Sequence, residues 1–174
     1  MADETITDYD DVTEYGLDDD LRDEILRKQI ECTFIWGPKT GWAVGVLMTY
    51  IWKDGSFWVS ATSQRKRIAA IKRDPRVSIV VSSHGTDLGP AKGITAKGRA
   101  VIHDDQETKD WFYPALAKAI RGDDLEGAKV FEKFLDSPRR VILEVEPTQR
   151  IGYDGQKMGK ATAEWMRAQK GAAS

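Results

Sequence analysis

The sequence predicts a mainly β domain, a small antiparallel barrel of six strands with helices at its edges. Three observations lead there. Six short runs rich in β-branched and aromatic residues lie at 32–36, 42–52, 57–61, 77–81, 94–102 and 140–151. Between the second and third stands Lys53-Asp54-Gly55-Ser56, a strong hairpin signal. Only one short strand–helix–strand link interrupts the series, so the strict alternation that builds a parallel sheet is missing.

Each element follows from local pattern. Residues 1–16 are acidic and nearly devoid of large aliphatics, which predicts a flexible arm. From Leu17 the spacing of Leu21, Ile25, Leu26 and Ile30 is helical, with Asp18 to Asp20 placed to cap the positive end. Cys32 to Trp36 is a strand stopped by Gly37-Pro38, and the runs on either side of the Asp-Gly turn complete a meander over 32–61. Ser63 is expected to cap a short helix with Ile68 and Ile71 on its apolar side, ending before Asp74-Pro75. Val77 to Val81 reads as a strand buried on both faces, followed by a Gly-rich loop at 83–93 and a strand from Ile94 to Ile102.

Residues 105–135 predict two helices broken at Gly122-Asp123. Trp111, Ala115, Leu116 and Ala119 should line the first; Leu125, Ala128, Phe131, Phe134 and Leu135 the second. Arg140 to Ile151 alternates, with Val141, Leu143 and Val145 on one face, and 159–169 predict a terminal helix. No internal repeat is present. The organisation expected is an arm at 1–16, one domain at 17–156, and a C-terminal helix and tail at 157–174. Tryptophans within strands should lie in the core or at the barrel rim, and Trp111 and Trp165 should anchor helix faces.

Composition excludes several functions. A chain of 174 residues buries about 70% of its unfolded surface and needs no covalent staple. Cys32 is the only cysteine, which rules out an intrachain disulfide or a cysteine zinc cluster and suits a small core hydrophobe. His84 and His103 are the only histidines. The longest uncharged run, Thr40 to Trp52, falls short of the ~20 residues of a membrane span, and the start lacks a secretory pattern. A cytoplasmic location is expected.

The net charge of -2 hides a division. Residues 1–24 carry eleven acids and one base, leaving a positive excess in the remainder. That excess concentrates after the hairpin, where six bases and one acid lie between Arg65 and Arg76. Arg65, Lys66 and Arg67 sit in the first turn of the predicted helix, the wrong end for cations, because a helix start is already partly positive. An anion resolves the conflict: free backbone N–H groups, the helix dipole and the cations together form a phosphate pocket, with Ser60, Thr62 and Ser63 adding hydroxyls. A solvated charge run is the plainer reading. Nucleic-acid binding by these bases with Trp42, Trp52 and Trp58 is a third, weakened because the cations cluster at one helix start and the tryptophans lie within strands.

The order of these segments resembles the pyridoxamine 5′-phosphate oxidase-like split-barrel flavoproteins. The residues that carry the likeness are Asp54-Gly55-Ser56-Phe57-Trp58-Val59-Ser60, Ser63-Gln64-Arg65-Lys66 and Arg73-Asp74-Pro75-Arg76-Val77. Lys97-Gly98-Arg99-Ala100-Val101, the strand 139–145 and Tyr153-Asp154-Gly155 extend it over roughly 20–156. The resemblance implies a six-stranded split barrel, a homodimer, and a flavin in each of two grooves at the interface. It places Arg65 and Lys66 on the cofactor phosphate, assisted by Ser60, Thr62 and Gln64, with the stretch Val46 to Thr49, including Met48 and Thr49, along the ring. It implies an oxidoreductase that transfers hydride or electrons to or from a small organic substrate.

Ala43 and Val44 stand where this family often carries Pro, and the substrate-phosphate residues of the vitamin oxidase are not recognisable near the C-terminus. The likeness is therefore to the broader group of flavin- and deazaflavin-dependent reductases. FMN needs one phosphate pocket and is the favoured cofactor. The deazaflavin coenzyme, with its longer anionic tail, is the alternative, for which Lys72, Arg73 and Arg76 are available. A non-enzymatic flavin carrier or sensor is a further reading. His84 is a candidate substrate contact, His103 a weaker catalytic candidate, and Tyr153 and Lys157 candidates to reach the groove.

Overall fold

The computed structural model describes residues 11–172. Residues 1–10 of the expected arm lie outside that range, and where the sequence suggested an arm through 16 there is instead a 3-10 turn at Val12–Tyr15. Asp11 caps it, and Tyr15 is 0% exposed. One buried aromatic is reason enough for these residues to pack.

Helix α1 (Asp19–Lys28) follows, acidic at its start and basic at its end, as the helix dipole favours. Asp18 occupies the cap position but makes no capping bond with its side chain. The strands are β1 (Glu31–Trp36), β2 (Val44–Lys53), β3 (Ser56–Thr62), β4 (Arg76–Ser82), β5 (Lys92–His103) and β6 (Arg140–Asp154). They close into one antiparallel barrel in the order β1-β2-β3-β6-β5-β4. The predicted fold class is the observed one. Asp54 and Gly55 both have positive φ, which the tight β2–β3 turn demands and which Asn, Asp and Gly tolerate.

The barrel interior is filled from alternate positions of every strand: Phe34, Met48, Tyr50, Phe57, Val59, Ile79, Ile94, Leu143 and Val145 are buried together. Expectation and structure differ at β4, which alternates between buried Val77, Ile79 and Val81 and less buried Ser78 and Val80. The reason is closure. A barrel strand has one inner and one outer face, so a run of apolar residues need not be covered on both.

Helix α2 (Lys66–Arg73) bridges β3 to β4, and α5 (Gly155–Ala172) follows β6. Helices α3 (Gln106–Arg121) and α4 (Leu125–Leu135) pack outside the barrel, where Phe112, Tyr113, Leu116 and Leu135 cluster with Ile142 of β6. The break at Gly122 is as predicted, and Trp111, Leu116, Phe131 and Leu135 pack inward as expected, but the rest of the expected faces differ. Phe112 and Tyr113 are buried in place of Ala115 and Ala119, and Leu125 and Phe134 are exposed. Trp42 (81% exposed) and Trp165 (57%) likewise stand largely in solvent. Among the described residues no helix is long and apolar enough to cross a membrane, and no group of His, Cys, Asp or Glu could hold a metal ion.

Candidate functional site

The site is built where β3 gives way to α2. The cap residue of α2 is Arg65 rather than the expected Ser63, with Lys66 and Arg67 opening the helix and no acid in the first turn. Ser63 is drawn away because its N–H donates to the Arg139 carbonyl at 2.7 Å, which ties the turn to the start of β6. The Arg65 N–H donates to the Thr62 carbonyl at 3.0 Å. The turn is thereby held from both sides. The Ile68 N–H reaches back to the Arg65 carbonyl at 2.9 Å, which leaves the N–H groups of Lys66 and Arg67 without a carbonyl in the helix, beside three cations.

Two grooves meet at Arg67. One, of about 490 Å³, is lined by Gln64, Arg65, Lys66, Arg67 and Trp36. The other, of about 240 Å³, runs between β2 and β3 and the ends of α3 and α4. It has Met48, Thr49 and Ser60 on one side, Leu116, Phe131 and Leu135 on the other, and Arg67 and Arg140 at the polar end. Arg140 is fixed there: its Nη1 donates to Ser60 Oγ at 3.5 Å and its Nε to the Leu135 carbonyl at 3.2 Å.

Arg67 is the informative residue. Its guanidinium stands 5.8 Å from the Trp36 ring centroid. Burial, and then the charge of Arg65, pull its pKa below the usual arginine range. Its Nε is buried without a hydrogen-bond partner. A buried donor on a cation is costly to leave unmade. A phosphate oxygen at the junction of the grooves would satisfy it, so these residues fit a phosphorylated cofactor.

The fold brings six of the eight expected site residues to the two grooves: Met48, Thr49, Ser60, Gln64, Arg65 and Lys66. Val46 packs its side chain against the barrel core, leaving only its backbone to face outward. Thr62 lines neither groove and serves the turn through its carbonyl. The sequence puts Arg67 among the three cations of the phosphate pocket without singling it out, and carries no signal for Trp36 or Arg140. Arg140 arrives only because β6 pairs with β3, Thr62 opposite Arg140.

The remaining candidates lie elsewhere. The Lys157 ammonium donates to the Gly16 carbonyl and to Asp18, at 2.9 and 3.0 Å. Tyr153 donates to the Met158 sulfur. His103 contacts Glu144 at 3.1 Å and packs on Trp58. The backbone of His84 holds Gln29, and its ring lines neither groove. Cys32 is buried in the barrel, where burial pushes its thiol up to about 12.

A family model described as pyridoxamine 5′-phosphate oxidase matches residues 32–153. No curated protein matches the sequence. Among solved structures, the chain is similar to a conserved hypothetical protein from Mycobacterium tuberculosis, with a TM-score of 0.71 and 18% identity over 84% of this chain and 90% of that one. It is similar to a FAD-binding protein from Mesorhizobium loti (TM-score 0.60, 19% identity, 79% of this chain and 94% of that one). It is also similar to an F420 reductase (TM-score 0.51, 19% identity, 74% and 94%).

Proposed function

The chain belongs to the pyridoxamine 5′-phosphate oxidase family, and from that premise we propose that it is a flavin-dependent oxidoreductase binding FMN at the junction of the two grooves. The observation that carries the reading is the unpartnered Nε of Arg67, buried between grooves that hold four cations and no acid. When bound, such a cofactor supplies hydride or electron transfer to and from a small organic substrate. The chain's own residues do the rest. Arg65, Lys66 and Arg67 hold the phosphate with the first N–H groups of α2. Arg140 orients Ser60 at the polar end of the second groove. Leu116, Phe131 and Leu135 exclude water from the wall facing Met48 and Thr49.

The chain is proposed to act as a homodimer, the partner completing the open side of each groove; exposed Leu47 beside Met48 suits a subunit contact. The deazaflavin coenzyme is the alternative cofactor. Absorbance and mass of what copurifies or can be loaded tell the two apart, and light scattering gives the subunit number. Arg65→Ala or Lys66→Ala should each weaken FMN about ten- to a hundredfold, the equivalent of one charge-assisted bond. Normal FMN binding by both variants overturns the phosphate assignment, and no binding of either cofactor by the wild type overturns the reading. Turnover of a reductant or acceptor separates an enzyme from a carrier.

A further inference from the structure

A third groove, of about 460 Å³, lies on the far side of Trp36, which it shares with the phosphate groove. Its floor is apolar, with Ile35, Ala43 and Val77, and its sides are Ser78, Thr148, Arg76, Lys97 and Arg99, with no acid among the lining residues. No role above uses it.

Two features of the sheet there work against the stability of the free protein. Arg76 and Arg99 are direct cross-strand partners on the outer face of β4 and β5, and Ser78 pairs with Lys97 beside them. Like charges set directly opposite each other destabilise a sheet. Asp74 clamps Arg76 and also feels the charge of Arg99, so it offsets part of this repulsion. Arg99 and Lys97 form no ion pair among the described residues, although Glu146 stands opposite Arg99 in register.

The second feature is a bulge. The β5–β6 register shifts between Lys97 and Gly98, pairing Lys97 with Gln149 and Gly98 with Pro147. Thr148 is left over and turned into the groove. Its hydroxyl donates to the Lys97 carbonyl at 3.1 Å. Gly98 is required for this: a Cβ there would clash with the Glu146 carbonyl oxygen. A bulge of this kind re-aims a side chain at a local loss of pairing.

We propose that the Trp36–Arg76–Lys97–Arg99–Thr148 groove is a second anion site, taking the carboxylate or phosphate of an organic ligand whose body lies on the apolar floor. Lys97 and Arg99 supply the charge and Ser78 a hydroxyl donor, Thr148 holds the Lys97 backbone in place through its own hydroxyl, and Trp36 separates this anion from the one at Arg67. The ligand is either a free organic acid or the outer arm of a long cofactor; the anion chemistry is the same. The site is defined by β4, β5 and β6 and stands apart from the cofactor reading, borrowing from it only the neighbouring phosphate groove.

The test uses Lys97→Gln/Arg99→Gln, with Lys97→Gln alone if the double variant misfolds. Both residues are exposed and outside the core. Affinities for FMN, FAD and glutarate are measured by calorimetry at about 0.15 M salt, where charges beyond ~8 Å are screened. The expected result is FMN affinity within about twofold of wild type and a loss of about tenfold or more for one of the other two. A loss for FAD alone assigns the arm of a long cofactor; a loss for glutarate, which needs no flavin, assigns a free acid. Equal losses for FMN and FAD, unchanged binding of all three, or no binding of FAD or glutarate by the wild type overturns the proposal. Failure of FMN alone to bind the wild type counts against the cofactor reading and leaves the glutarate arm to decide.

Discussion

Replacing Arg67 by Met separates a binding cation from a structural one, because the two roles predict opposite outcomes. In the free protein Arg67 keeps a buried, unpartnered Nε. An unmade bond of that kind costs on the order of 1–3 kcal/mol. Against it stands the Trp36 contact at 5.8 Å, a cation–π interaction of about 0.5–1 kcal/mol. Met keeps an aliphatic stem in the same space and carries no donor. The ligand-free variant should therefore unfold in urea with a free energy equal to wild type or up to about 2 kcal/mol higher. Cofactor binding should move the other way. Loss of one charge-assisted bond of about 1.5–3 kcal/mol lowers FMN affinity about ten- to a hundredfold, read by flavin fluorescence titration. A variant that loses more than about 2 kcal/mol of stability and binds FMN as wild type does would refute the reasoning and make Arg67 a structural residue.

Three other outcomes follow from the geometry. With its thiol at about 12 and its side chain in the barrel core, Cys32 should react with thiol reagents at pH 8 only as fast as the barrel opens, the rate rising with urea. Asp74, hydrogen-bonded by the Arg76 guanidinium, should titrate at about 2 by NMR, below the ~3.9 of an unfolded chain. A depressed carboxyl stabilises the fold above the unfolded value, and that contribution fades as pH falls through about 2; Arg76→Gln should return the midpoint toward 4. Gly98→Ala should destabilise by about 1–3 kcal/mol in thermal unfolding, since neither the Glu146 backbone nor the Val145 side chain can retreat without breaking the bulge.

The fold was legible wherever it is local. Alternation in β6, the Asp54-Gly55 turn and the break at Gly122 follow from residue chemistry within a few positions, and the structure agrees with each. Pairings of β1 with β4 and β3 with β6 join segments far apart in sequence, and no local pattern encodes them. The misreadings share that cause. Ser63 looks like a cap until Arg139 claims its N–H. Phe134 looks like a core residue until α4 proves to present it outward. The site divides the same way: the basic turn announces itself, whereas Trp36 and Arg140 are recruited from strands whose neighbours only the closed barrel decides.

The charge distribution carries the argument one step further. Seven cations line the three adjoining grooves: Arg65, Lys66, Arg67, Arg140, Arg76, Lys97 and Arg99. Only Arg76 is in an ion pair among the described residues. The acids of α1 lie where β1 begins, whereas two of the grooves meet where β1 ends at Trp36; the third reaches back along β2 to Thr49, opposite Glu31. By contrast, bases near that acidic end are paired: Arg22 with Asp19, Lys28 with Glu24 and Asp87, Lys157 with Asp18. Unpaired cations converging in concave clefts repel one another and add nothing to the apolar core. The same clefts focus field lines and raise the local concentration of anions. A net charge of -2 would repel such ligands weakly at long range. Within a Debye length the local field decides instead, and at this end of the barrel its sign is positive.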